Sequence, residues 1–207
     1  MKKEKQSIAY PVIFLSVLTL VYIFVLAGLD FMTKDVVAQN QALELEKKIL
    51  YVFNLQDDYT TDDEARALFS ERVTTVSETV DGEAKTYALL DGDKEIAYAV
   101  PFAGPGLWGS ITGYLGVNSD FTTLTGIEFI TQSETPGLGG RIAEEAYKAQ
   151  YRGLDISAAS DKLFVINRPA PGGNIDAITG ATQTSKFVVN MVNDDLDTFL
   201  KEVRHGE

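Results

Sequence analysis

The chain of 207 residues contains no cysteine and a single histidine, His205. Without cysteine there are no disulfides, no thiolate nucleophile and no iron–sulfur cluster held by this protein. One histidine excludes a Ser-His-Asp hydrolase, a histidine-rich zinc site and haem held by two histidines. His205 stands in a polar C-terminal tail and reads as solvated rather than as a base. No Gly-x-Gly-x-x-Gly follows a strand-like run, so the chain is not expected to bind NADH itself. Positive charge is also scarce: 18 Lys and Arg face 30 Asp and Glu, a net charge of −12. Nucleic-acid binding needs phosphates neutralised by Lys and Arg, so this chain is a poor candidate for it. Carboxylates are plentiful, yet their spacing marks neither a glycosidase pair nor an EF-hand. Asp57, Asp58, Asp62, Asp63 and Glu64 read as a solvated loop and helix start. No catalytic residue and no metal site is expected.

What the chain does have begins with one long apolar run. Residues 6–29 carry no charged side chain. About twenty apolar residues suffice for a helix to cross a bilayer core of about 30 Å. A transmembrane helix is therefore expected over residues 8–31, after a short stretch 1–7. Lys2, Lys3 and Lys5 precede the run, and Asp30, Lys34 and Asp35 follow it. The positive-inside rule then puts the N-terminus in the cytoplasm and the remainder on the outer face. A cleaved signal peptide is the competing reading. Its apolar core is usually about 7–15 residues and ends at a small-x-small site, of which Ala27-Gly28 is a poor version. Residues 1–35 carry +1, which leaves −13 on the rest. Solubility accounts for most of that charge.

Residues 32–60 read as a linker helix leaving the membrane, with Leu43, Leu45, Ile49, Val52 and Phe53 apolar among charged neighbours. The folded domain is expected over 61–207. Thr61 and Glu64 have the spacing of a capping box. Alternating strand-like runs follow at 73–80, 85–90, 95–102, 109–117 and 124–131. Asp81-Gly82 and Asp91-Gly92 are hairpin signals. A short helix is expected over 144–151, a short strand over 162–166 and a closing helix over 183–203. The whole is an α+β protein: a single N-terminal transmembrane helix, then a twisted, mostly antiparallel sheet with packed helices.

The most informative stretch is Asp176-Ala177-Ile178-Thr179-Gly180-Ala181-Thr182, just ahead of the closing helix. A helix N-terminus offers unpaired N–H groups and partial positive charge, and so attracts phosphate. Gly180 and Ala181 permit close approach to the backbone, and Thr182 adds a hydroxyl. The plainer reading makes Thr179, Thr182, Thr184 and Ser185 helix caps. The stretch resembles the flavinylation motif of a bacterial family of FMN-binding membrane proteins. Its members are NqrC, of the sodium-translocating NADH:quinone reductase (Nqr), and RnfG, of the Rnf ferredoxin:NAD complex. The family pattern is Asp, two variable residues, Ser or Thr, Gly, Ala, Thr, and Asp176, Thr179, Gly180, Ala181 and Thr182 fill it. A second signature, Glu134-Thr135-Pro136-Gly137-Leu138-Gly139-Gly140, lies about forty residues earlier.

The resemblance implies FMN held by a phosphoester bond on Thr182. It also implies a separate Mg-dependent flavin transferase acting on FAD, since a threonine hydroxyl is a weak nucleophile without a base. Asp176 is expected to cap the turn, to be read by that transferase, or both. Thr184 belongs to the same turn. Glu134, Thr135, Pro136, Gly137, Leu138 and Gly139 suit a flat, apolar slot, with Leu138 on a ring face and Glu134 or Thr135 on polar edges. Trp108, in the Gly-rich run 104–109, would either stack on the flavin or anchor the core. That run resembles NqrC more than RnfG. Arg168, Arg141 and Lys186 are the cations available to a phosphate.

The implied role is an electron carrier in the bacterial inner membrane, its domain on the periplasmic face, not catalytic alone. Other proteins of the complex would supply the NADH, quinone and sodium sites. RnfG is the alternative within the family. A non-redox scaffold or anion-binding module is the alternative outside it.

Overall fold

The computed structural model describes residues 9–78, 85–157, 159 and 163–205. The chain divides into two compact units, Met1–Ala42 and Leu43–Glu207. In the first, helix α1 (Ala9–Val52) begins, and the side chains of residues 9–42 are exposed, apolar ones such as Ile13, Phe14, Val21, Phe24 and Leu26 included. The helix is long and apolar enough to cross a membrane.

The second unit is built on a five-stranded antiparallel meander, β1 (Val73–Glu78), β2 (Lys85–Asp91), β3 (Lys94–Pro105), β4 (Ser110–Asn118) and β5 (Leu124–Thr131), in that spatial order. The expected hairpin at Asp81-Gly82 lies outside the described residues. The one at Asp91-Gly92 forms, with Asp91 opposite Lys94. The β4–β5 loop is organised by Asn118, whose Oδ1 accepts from the N–H groups of Thr122 (3.0 Å) and Thr123 (2.9 Å).

Alternation along the strands gives the sheet two apolar faces. Val100 and Phe102 of β3, with Ile111, Leu115 and Val117 of β4, face one way. Ala97, Ala99 and Tyr114 face the other, where Ile49, Val52 and Phe53 cover them. The first face is sealed by helix α4 (Thr182–His205). Its Val188, Val192, Leu196 and Phe199 recur at helical spacing and are buried. Each such side chain contributes about 1.5–3 kcal/mol by leaving water. Between α1 and the sheet, helix α2 (Asp62–Arg72) starts at Thr61 with the capping box formed in both directions.

The helix expected over 144–151 is a four-residue helix α3 (Glu145–Lys148) between 3-10 turns at Gly139–Ala143 and Ala149–Tyr151. The strand expected over 162–166 is not formed among its described residues. Asn193 of α4 satisfies that backbone instead: its Oδ1 accepts from Val165 N–H (2.9 Å) and its Nδ2 donates to Val165 C=O (2.8 Å). Asn174 Oδ1 accepts from Ile166 N–H at 2.8 Å. Ile166 C=O accepts from the N–H groups of Asn174 (2.9 Å) and Ile175 (3.2 Å), so Val165 and Ile166 are satisfied without a ladder. Pairing starts just beyond, where β6 (Asn167–Arg168) lies parallel to β7 (Ile175–Asp176). Replacing Asn193 by leucine leaves both Val165 groups without partners in a buried site. The substitution is expected to cost about 2–4 kcal/mol, read as a lower urea midpoint with an unchanged slope.

Candidate functional site

Three segments far apart in sequence meet at one cavity of about 460 Å³. The β3–β4 loop supplies Leu107 and Trp108. The segment after β5 supplies Glu134, Thr135, Leu138 and Gly139. The start of α4 supplies Gly180, Ala181, Thr182, Gln183 and Thr184. The sheet places the first two segments at one end of β4 and β5. Packing of α4 across β3 brings the third to the same place.

The segment 134–139 turns sharply. Leu138 N–H donates to Thr135 C=O at 3.1 Å. Pro136 occupies the second position of this turn and Gly137 the third, at φ 74, as a type II turn requires. Pro136 and Gly137 therefore form the exposed tip, and Leu138 and Gly139 come back to line the cavity. Gly180, at φ 82, makes the corresponding bend ahead of α4.

Glu134 joins the three segments and is 4% exposed. Its Oε1 accepts from Leu107 N–H (2.7 Å) and Trp108 N–H (3.1 Å). Its Oε2 accepts from the Thr184 hydroxyl at 2.6 Å. The packing around it leaves no room to spare. A Cβ on Gly106 would lie 2.5 Å from Oε1, and one on Gly139 would lie 2.6 Å from both Oε2 and Thr184 Oγ1.

The hydroxyls of the turn divide by role. Ser185 is buried; its Oγ accepts from Ile178 N–H (2.9 Å) and donates to Ala181 C=O (3.2 Å). Thr184 is engaged with Glu134. Thr182 is exposed on the cavity wall, at the first residue of α4. The first-turn N–H groups of a helix lack intrahelical partners and point toward such a position. Among the described residues no side chain hydrogen-bonds the Thr182 hydroxyl.

Asp176, Thr179 and Arg168 do not line this cavity. Arg168 Nη1 donates to Asp176 Oδ1 at 2.9 Å, and both side chains are more than half exposed. The expected cap from Asp176 onto the turn is thus replaced by an ion pair, and Ser185 holds the turn. The Asp176 backbone is fixed by Gln150, whose Oε1 accepts from its N–H at 2.6 Å. Asp176 and Thr179 line a second cavity of about 300 Å³, together with Arg141, Glu144, Tyr147 and Gln150. Burial pushes the Tyr147 hydroxyl up to about 12, and it pairs with the buried Tyr151 hydroxyl at 3.2 Å. Arg141 is paired with Glu144 at 3.1 Å.

Trp108 is 70% exposed, so it is no core anchor, and with Leu107 and Leu138 it gives the cavity an exposed apolar rim. Sequence reasoning missed Leu107 and Gln183 as lining residues and Gln150 as the clamp on Asp176. Leu107 was legible as the neighbour of Trp108. Gln150 carried no signal.

A family model described as FMN-binding domain matches residues 106–197, which include every residue of the first cavity. The chain is 25% identical over 234 residues to the NqrC protein of the Na(+)-translocating NADH-quinone reductase of Pasteurella multocida, covering 92% of this chain and 90% of that protein. It is 28% identical over 235 residues to the NqrC of Pseudomonas aeruginosa, covering 87% and 90%. The crystal structure of the NqrC of Parabacteroides distasonis matches with a TM-score of 0.65 at 25% identity, over 81% of this chain and 95% of that one.

Because Trp108 is the only tryptophan, its fluorescence reports on the cavity rim alone. Gly139→Ala drives a methyl against Glu134 and Thr184 and is expected to cost about 1–3 kcal/mol. The loop carrying Trp108 should loosen with it, seen as a lower Tm and altered iodide quenching.

Proposed function

We propose that this chain, which is similar to the NqrC proteins of Na(+)-translocating NADH-quinone reductases, carries one FMN, esterified through its phosphate to Thr182, and passes electrons between other proteins of such a complex. The single observation that carries this reading is the meeting of the two signature segments and the Trp108 loop at one cavity, with Thr182 exposed at its wall. The volume of about 460 Å³ lies within the range of about 300–1,000 Å³ usual for small-molecule sites. Leu107, Trp108 and Leu138 offer apolar surface for a flat ring, and Thr135 and Gln183 offer polar contacts at its edges.

FMN, when bound, supplies the one- and two-electron chemistry. The chain's own residues do the rest. The amino end of α4 faces the phosphate with N–H donors and partial positive charge. Glu134 fixes the Trp108 loop against α4, so that the rim holds its shape. Trp108 and Leu138 exclude water from the ring faces. Among the described residues no side chain is bonded to the Thr182 hydroxyl as a base would be, so it does not attack unaided, and a flavin transferase acting on FAD makes the ester. Asp176 and Thr179, outside the flavin cavity and open to solvent, are the part of the motif that such an enzyme can read.

The same reading assigns residues 1–7 to the cytoplasm, 8–31 to the bacterial inner membrane, 32–60 to a linker helix and 61–207 to an FMN-binding domain on the periplasmic face. The sodium, quinone and NADH sites then belong to partner proteins of the complex, and this chain is not catalytic alone.

Co-expression of the full chain with the transferase should give a flavin-fluorescent band on a denaturing gel. Thr182→Val should remove the fluorescence completely. Asp176→Ala should reduce it several-fold while leaving the fold intact by circular dichroism. Fluorescence surviving in the Thr182 variant contradicts the attachment site. A dark wild-type band beside an active transferase favours a non-redox anion-binding module.

A further inference from the structure

We propose that the buried Glu134 carboxylate lowers the reduction potential of the ring held in this cavity, acting as a fixed negative charge that no cation of the cavity lining offsets. The inference rests on the FMN reading above. Of the residues lining the cavity, Glu134 alone carries a charge. Both of its oxygens act only as acceptors, from Leu107 N–H, Trp108 N–H and the Thr184 hydroxyl, the bonding pattern of an ionised carboxylate. Of the three cations named from the sequence, Arg141 and Arg168 are paired with Glu144 and Asp176, Lys186 is exposed to solvent on α4, and none of the three belongs to the lining.

One positive element competes. The amino end of α4 carries about half a unit of positive charge. A phosphodiester on Thr182 carries about one unit of negative charge, so it more than cancels that end. The field left at the ring is that of Glu134, weakly screened at its source because that residue is 4% exposed.

Reduction adds one electron from a donor to the neutral oxidised ring and leaves it one unit more negative. Uptake of a proton from water restores neutrality. Glu134 opposes the first of these changes and favours the second. It does not touch the electron donor and supplies no proton, since both oxygens are held as acceptors.

The test compares the flavin-loaded full chain with Glu134→Gln at about pH 8, well above the ordinary carboxylate range, by dithionite titration against redox dyes. Glutamine keeps the shape: its oxygen can accept from Leu107 and Trp108, and its amide can meet Thr184. The reduction equilibrium constant should rise at least tenfold, about 59 mV for one electron. Thr184→Val removes a donor that draws negative charge away from the cavity, and should shift the potential downward. Shifts of opposite sign do not arise from loosened packing. A loaded, folded Glu134→Gln protein with an unchanged or lower potential overturns the proposal and leaves the FMN reading standing. If Glu134→Gln fails to fold, an unchanged or raised potential in Thr184→Val overturns it instead. Absence of flavin from the wild type overturns the FMN reading itself.

Discussion

Taking a carboxylate out of water costs several kcal/mol unless its oxygens find donors, and at Glu134 those donors come from two segments that no ladder joins to it. Leu107 and Trp108 lie on the loop between β3 and β4, and Thr184 lies in the first turn of α4. Removing any one of them leaves the charge short of a partner. The three segments are therefore fixed in mutual position by one group. Gly106 and Gly139 are required on the same account, since a methyl at either would occupy the space of a carboxylate oxygen. The cavity wall follows from this joint rather than from the sheet alone.

Helix α4 does two jobs with one amphipathic pattern. Its middle seals the sheet through Val188, Val192, Leu196 and Phe199. Its amino end, aimed at the cavity, presents Thr182 and unpaired N–H groups. The orientation of the first depends on the register of the second, because a helix rotated to expose Thr184 would also turn Val188 away from the core. Asn193, further along the same helix, ties it to Val165. Packing energy spent on the core is thus what holds the amino end in place.

Most of the sheet was legible because its strands alternate and end at turn residues: β5 falls at residues 124–131 in both sequence and structure. Capping by Thr61 and Glu64 was legible for a similar reason, being local chemistry at fixed spacing. Residues 162–166 look like a strand by composition, but the described part of that segment bonds to Asn193 and Asn174, and long-range side-chain partners leave no mark on periodicity. The two signature segments were found by resemblance, and the structure brings them to one cavity. Which hydroxyl does what was not legible. Thr182, Thr184 and Ser185 are chemically alike in the sequence, and only burial separates the exposed one from the two that hold the turn. Glu134 is the same case: a side chain that reads as a ligand contact is committed to the wall.

The charge of the domain and the proposed ester belong to one physical problem. Residues 36–207 carry −13, and the lining of the cavity offers no Lys or Arg. Within that lining a free flavin phosphate, with its two negative charges, would meet a helix end worth about 0.3–1 kcal/mol to an exposed charge. The apolar rim adds area but stands open to solvent, with Trp108 70% exposed. Affinity assembled from these parts is small. The proposed bond at Thr182 would remove the need for it, would lower the phosphate charge by converting a monoester into a diester, and would leave the rim free to stay open toward the proposed redox partner. On that view the missing cations are no defect of the site. A lysine or arginine in the wall would help hold the phosphate, but it would also cancel the field of Glu134 at the ring, so a covalently held cofactor and an uncompensated buried carboxylate are parts of the same arrangement.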